Sequence, residues 1–111
     1  MIKIKFIKEI LIGSTKFKII WDKNSEEGQL SYPWGRKNET AYIKIGLENH
    51  KVNPIRTLEI IIHELKEIIN IEQATRMTRL DETKAYEFHY THKEHTEMCS
   101  RLAGLLNEFI K

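Results

Sequence analysis

Asn53-Pro54-Ile55-Arg56-Thr57-Leu58-Glu59-Ile60-Ile61-Ile62-His63-Glu64-Leu65-Lys66-Glu67-Ile68-Ile69 is the stretch on which the fold turns. Asn is a strong helix N-cap, and Pro suits the first helical position, where its missing N–H has no partner in any case. Ile55, Leu58, Ile61, Ile62, Leu65, Ile68 and Ile69 then recur at helical spacing, which predicts a core-facing helix running to about residue 74. A polar trio, His63, Glu64 and Glu67, interrupts it. His63 and Glu67 are four apart and so project from one face. They lie beside the apolar stripe, which puts them at the edge of the core.

Ahead of this helix the pattern has a period of two. Ile2, Ile4, Phe6, Ile10 and Ile12 fall on one side of a strand, with Lys3, Lys5 and Glu9 on the other. Lys8 and Leu11 break the two rows, so this strand is bulged or ends early. Gly13-Ser14 marks a turn, and residues 15–21 alternate again, which reads as an antiparallel hairpin. Residues 29–32 suit a short strand stopped by Pro33, and residues 40–45 a further one. Behind the helix, residues 85–90 alternate and are rich in aromatics, as a strand or as the approach to the next helix. Thr91 with Glu94 forms a capping box for a last helix, on which His92, His95, Met98 or Cys99, Leu102, Leu105 or Leu106, and Phe109 trace one face. Gly104 weakens that helix or lets another backbone come close. With no repeat and no linker, these elements predict one α+β domain over residues 1–111: a small, mostly antiparallel sheet with two longer helices packed on one face.

Composition narrows the function classes. A chain of 111 residues with 41% hydrophobic and 31% charged residues is expected to build one modest core. The net charge of +2 and the scattered lysines argue against nucleic acid as a partner. No run is long enough to span a bilayer, and the N-terminal residues lack the apolar block of a signal peptide. Cys99 stands alone, in keeping with a reducing compartment, so the expected address is the cytoplasm.

The chemistry rests on the polar trio. His63 and Glu67 have the spacing of two ligands to one metal ion, and Glu64 is placed like the general base of an H-E-x-x-H metallohydrolase. Against this stands the plainer reading of His63 as a satisfied histidine at the core edge, with Glu64 and Glu67 on a solvated face beside Lys66. A catalytic zinc site takes three protein ligands and a water, and His₂Glu is a known set. His63 and Glu67 supply two, and a histidine at the start of the last helix, His92 or His95, is the candidate third. Glu64 would take a proton from the metal-held water and pass it to the leaving group. The same ligand types serve non-haem iron oxygenases, but those need cosubstrate space and usually a larger β-barrel. His89 cannot share a helical face with His92. His50, in a loop, reads as solvent-exposed, and Cys99 as a packing residue. Trp34 suits a cover over a cleft or a partner-binding loop.

The order of strands, a strand over residues 41–45, a helix bearing His63-Glu64-Leu65-Lys66-Glu67, and then His92 ahead of a final helix containing Arg101-Leu102-Ala103 resembles small phage and prophage proteins of the minimal zincin type. These are short metallopeptidase-like domains. The resemblance implies His63, Glu67 and His92 as metal ligands, with His95 the substitute for His92, Glu64 as general base, and zinc as the expected divalent metal. It also implies that residues 41–45 form the edge strand that lines the cleft and holds an extended peptide by strand addition. Glu67 departs from the family pattern, which has a second histidine at that place. Two functions follow as expectations. One is a metal-dependent hydrolase acting on a peptide or protein substrate. The other is a non-catalytic phage or mobile-element protein that binds a host protein, with or without a structural metal, in the host cytoplasm if phage-encoded.

Overall fold

A computed structural model of the protein describes residues 3–33, 40–72, 76–77, 87–88 and 92–111. Its elements are β1 (Glu9–Ile12), β2 (Thr15–Asp22), β3 (Gly28–Ser31), β4 (Tyr42–Gly46), α1 (Pro54–Glu72), β5 (Arg76–Met77), β6 (Glu87–Phe88) and α2 (His92–Asn107). The architecture is α+β: a four-stranded mixed sheet in the order β1-β2-β4-β3 with two helices, and β5 paired antiparallel with β6.

The first hairpin forms where the alternation puts it. β1 and β2 pair antiparallel, Ile12 opposite Thr15, across a turn in which Gly13 has a φ of 62°. That left-handed conformation is disfavoured for a residue with a Cβ, and a Cβ there would also collide with the Glu72 carboxylate. The strand is shorter than the alternation suggested and starts at Glu9. Ahead of it Ile4 is buried and bridges Ile110, with Lys5 N–H donating to the Phe109 carbonyl at 2.7 Å, so the chain's two ends are tied together. Phe6 leaves the apolar row. It is 48% exposed and meets the Trp21 ring edge-on at 4.9 Å.

β4 enters between β2 and β3. It runs parallel to β2, with Ile19 opposite Ile43, and antiparallel to β3, with Leu30 opposite Ile43. The expectation that residues 41–45 form an edge strand is thus corrected: β4 is interior, its backbone groups used on both sides, and β3 is the edge. A two-residue period explains the core: Ile10 and Ile12, Phe17 and Ile19, Ile43 and Ile45 all point to one face. On that face α1 contributes Ile60, Ile61, Leu65 and Ile68.

α1 begins as its sequence predicts, with the Asn53 side-chain oxygen accepting from Ile55 N–H at 3.2 Å. It is described as far as Glu72, and the expected stop at about residue 74 lies outside the described residues. Ile55, the first residue of the apolar stripe, is on the surface at 51% exposure. α2 packs on α1 through buried Met98 and half-buried Leu102, and past its end Phe109 is fully buried, its ring 6.1 Å from that of Trp21. Arg101 of α2 donates to Glu72 of α1 at 2.7 Å, which fixes the two helices to each other beside the β1–β2 turn. A Cβ at Gly104 would meet nothing within 4 Å among the described residues, so no described strand or second helix comes close to it. Thr91, the expected cap of α2, lies outside the described residues, as do Trp34 and His89.

Candidate functional site

The polar trio on α1 divides by depth. His63 is exposed, Glu67 is half-buried, and Glu64 is buried, with 6% of its surface accessible. Helical geometry accounts for this. Glu64 falls between the core positions Ile60, Ile61 and Ile68 on one side and the His63–Glu67 row on the other. The plainer sequence reading, with Glu64 on a solvated face beside Lys66, therefore does not hold. The carboxylate is the innermost member of the trio.

Its neighbour across the layers is β3. Gly28 has room only for hydrogen: a Cβ built there would stand 2.7 Å from Ile60 Cγ2 and 2.8 Å from Glu64 Oε1. This close approach sets the helix against the edge strand. Glu64 Oε1 lies where a side chain at position 28 would otherwise be. Between α1 and β3 a cleft of about 460 Å³ opens, lined by Glu27, Gly28, Arg56, Glu59, Ile60, His63 and Glu64. The loop that brings Glu27 there is held by its own short contacts. Asp22 Oδ1 accepts from Asn24 N–H at 2.9 Å, and Glu27 N–H donates to Ser25 Oγ at 3.2 Å. The Asn24 N–H bond, followed by Lys44 at 3.2 Å, holds the Asp22 carboxyl below the usual carboxylate range.

Electrostatically the cleft favours protonated Glu64. Burial pushes its carboxyl above the ordinary value of 4.5. His63 beside it pulls in the opposite direction, and the Glu67 charge adds to the rise. Among the described residues no hydrogen bond or salt bridge reaches the Glu64 carboxylate. Arg56, on the same wall, is occupied by Glu59 at 3.2 Å. The arrangement is that of a carboxyl group poised to gain and lose a proton within a shielded cleft.

The histidines of α2 are placed differently. His92 is exposed on the first turn of α2 and His95 is exposed one turn on, so neither faces the core as their helical row suggested. His95 lines a second groove with Ile62, Lys66, Ile69, Met98, Cys99 and Leu102, on the α2 side of α1, and its Nε2 lies 3.8 Å from Cys99 Sγ. Cys99, expected to pack inward, is exposed, and Met98 takes the buried place. Among the described residues no three of His, Cys, Asp or Glu stand together as a metal-holding group. His63 and Glu67, one turn apart on one helix, are the donors that geometry brings together, and His92 is not added to them. His50, read as solvent-exposed, is half-buried: its Nδ1 lies 2.8 Å from Thr57 Oγ1, and its ring lies edge-on to Phe6 at 5.7 Å.

Glu27, Gly28, Arg56 and Glu59 are cleft residues that reading along the chain does not reveal. Arg56 and Glu59 had a signal, since they stand seven and four positions before His63 and so share its face. Glu27 and Gly28 had none beyond a glycine in a polar loop, because their position depends on β4 passing between β2 and β3. Compared with family models, curated proteins and solved structures, the chain matches none of them.

Proposed function

We propose that the chain is a metal-dependent hydrolase of the minimal zincin type that cuts peptides in the cleft between α1 and β3, with Glu64 as general base. The observation that carries the proposal is the burial of Glu64 against Gly28 of β3, the last strand of the sheet among the described residues. A carboxyl group kept from water on a helix that flanks an edge strand has the surroundings such a base needs. In the reaction, a water oxygen attacks the peptide carbonyl carbon while Glu64 accepts its proton. The C–N bond then breaks as Glu64 hands that proton to the departing amine. The raised proton affinity of Glu64, which comes from its burial, favours the first of these transfers. His63 and Glu67 are the α1 residues that would hold a divalent ion, zinc by expectation, with His92 as the third ligand on the resemblance alone. When bound, the ion would supply Lewis-acid polarisation.

A peptide mixture incubated with the protein and added zinc, and read by mass spectrometry, tests this. Cleavage by the wild type that disappears with Glu64→Gln supports the proposal. Absence of cleavage, or cleavage that Glu64→Gln leaves intact, removes it. Metal analysis gives a second readout: about one equivalent is expected, falling with His63→Ala.

A second reading, a non-catalytic protein that binds a host partner, is favoured by large apolar side chains on the surface. Val52 is 89% exposed, Ile55 51% and Phe6 48%. Glu64→Gln leaves such a binder's function unchanged, whereas substitution of Val52 and Ile55 by Ser weakens it. No described helix is long and apolar enough to cross a membrane.

A further inference from the structure

The cleft is acidic in a chain whose net charge is positive. Three carboxylates, Glu27, Glu59 and Glu64, line it, and Arg56, the guanidinium on its wall, is already engaged by Glu59 at 3.2 Å. The deepest of the three, Glu64, is 6% exposed, lines the cleft, and receives no hydrogen bond or salt bridge from the described residues. A buried carboxylate left so is costly unless a donor arrives from outside. The wall opposite α1 is β3, the sheet's last strand, and among the described residues no strand pairs with its outer side. Gly28, having no side chain, lets Glu64 and Ile60 pack directly against the backbone of β3.

We propose that this cleft selects a basic side chain, the lysine or arginine of a peptide lying extended along β3, with its cationic end at Glu64 and its stem beside Ile60. Glu27 at the rim attracts the charge, and Glu64 receives it as a charge-assisted hydrogen-bond acceptor. A cleft of about 460 Å³ has room for one long side chain. The inference shares with the hydrolase proposal both the cleft and Glu64; a carboxylate engaged by a cation is not free to take a proton from water, so a peptide held in this way is a ligand of the cleft and not its substrate.

Binding of two capped pentapeptides to the full chain tests it: four alanines around a central lysine, and the same peptide with uncharged norleucine. Lysine should bind about tenfold more tightly, the scale of one hydrogen bond to a charged group. Glu64→Gln should remove most of that preference. Glu27→Gln, at the exposed rim, should reduce it in part. Equal binding of the two peptides, binding of neither, or a preference that survives Glu64→Gln overturns the inference. The two proposals fail separately. Selective binding of lysine without cleavage leaves the cation site standing and removes the hydrolase. Cleavage without preference for a basic residue does the reverse.

Discussion

Gly28 and Glu64 occupy one another's space: a Cβ on the first would come within 2.8 Å of Oε1 on the second. The edge strand and the helix are therefore in register at the point where the cleft is deepest. Gly28→Ala must push the carboxylate and the Ile60 methyl aside, and overpacking of this kind costs about 1–3 kcal/mol. We expect a lower urea midpoint with an unchanged slope, and loss of peptide cleavage out of proportion to the loss of stability. A wild-type midpoint and wild-type cleavage in Gly28→Ala would show that the two residues are not so closely packed.

Glu64 makes stability depend on pH in a definite direction. Burial holds its folded-state pKa above the ordinary 4.5. The folded protein therefore binds this proton more tightly than the unfolded chain does, and stability falls as pH rises from the unfolded value through the folded one. Glu64→Gln removes that fall. Its urea midpoint should exceed the wild type's at neutral pH, and the two should converge near about pH 4, below both values. A variant less stable than the wild type at neutral pH would mean that the charged carboxylate has a partner.

Arg101 and Glu72 hold α2 against α1, 2.7 Å apart and only partly exposed. Arg101→Ala takes away a hydrogen bond to a charged group near the Gly13 turn, worth about 1.5–3 kcal/mol where desolvated and less where water competes. A double-mutant cycle with Glu72→Gln should give a coupling of about 1 kcal/mol. Additivity of the two single changes would show that the pair contributes no more than its separate contacts.

His50 and Thr57 form the contact that fastens the β4–α1 loop to the helix, 2.8 Å apart, with Thr57 almost wholly buried. Thr57→Val keeps the shape and removes the hydroxyl, at a cost of about 1 kcal/mol. The altered ring environment should appear as a shift of the His50 ring resonances by NMR. Unmoved His50 ring resonances together with unchanged stability would contradict the contact.

How far these relationships can be read along the chain depends on whether they are local. The Asn53 cap, the apolar period of α1 and the Gly13-Ser14 turn each depend on neighbours within a few positions, and each forms where expected. The edge strand does not follow from such signals. Residues 41–45 alternate like an edge strand, yet β4 lies inside the sheet, because alternation reports which face is buried and not which strand is outermost. Helical spacing identified His63, Glu64 and Glu67 as one group. Their order of depth came from the packing of α1 on β3, which buries Glu64 and leaves His63 in solvent. The rows drawn along α2 failed at His92, His95 and Cys99 for a related reason. Several faces of that helix carry apolar residues, and the approach of α1 selects the one containing Met98.

The surface proposed to receive the peptide lies between α1 and β3. Amide hydrogen exchange of the Glu27→Gln, Glu64→Gln and wild-type proteins, with and without the lysine pentapeptide, locates it. Slowed exchange in the wild type confined to β3 and to the cleft-facing turns of α1, from Arg56 to Glu64, and weakened by both substitutions, is the result expected. Protection that appears instead on the outer face of the sheet around Lys18, Ile20 and Tyr42, or in the groove between α1 and α2, would contradict it.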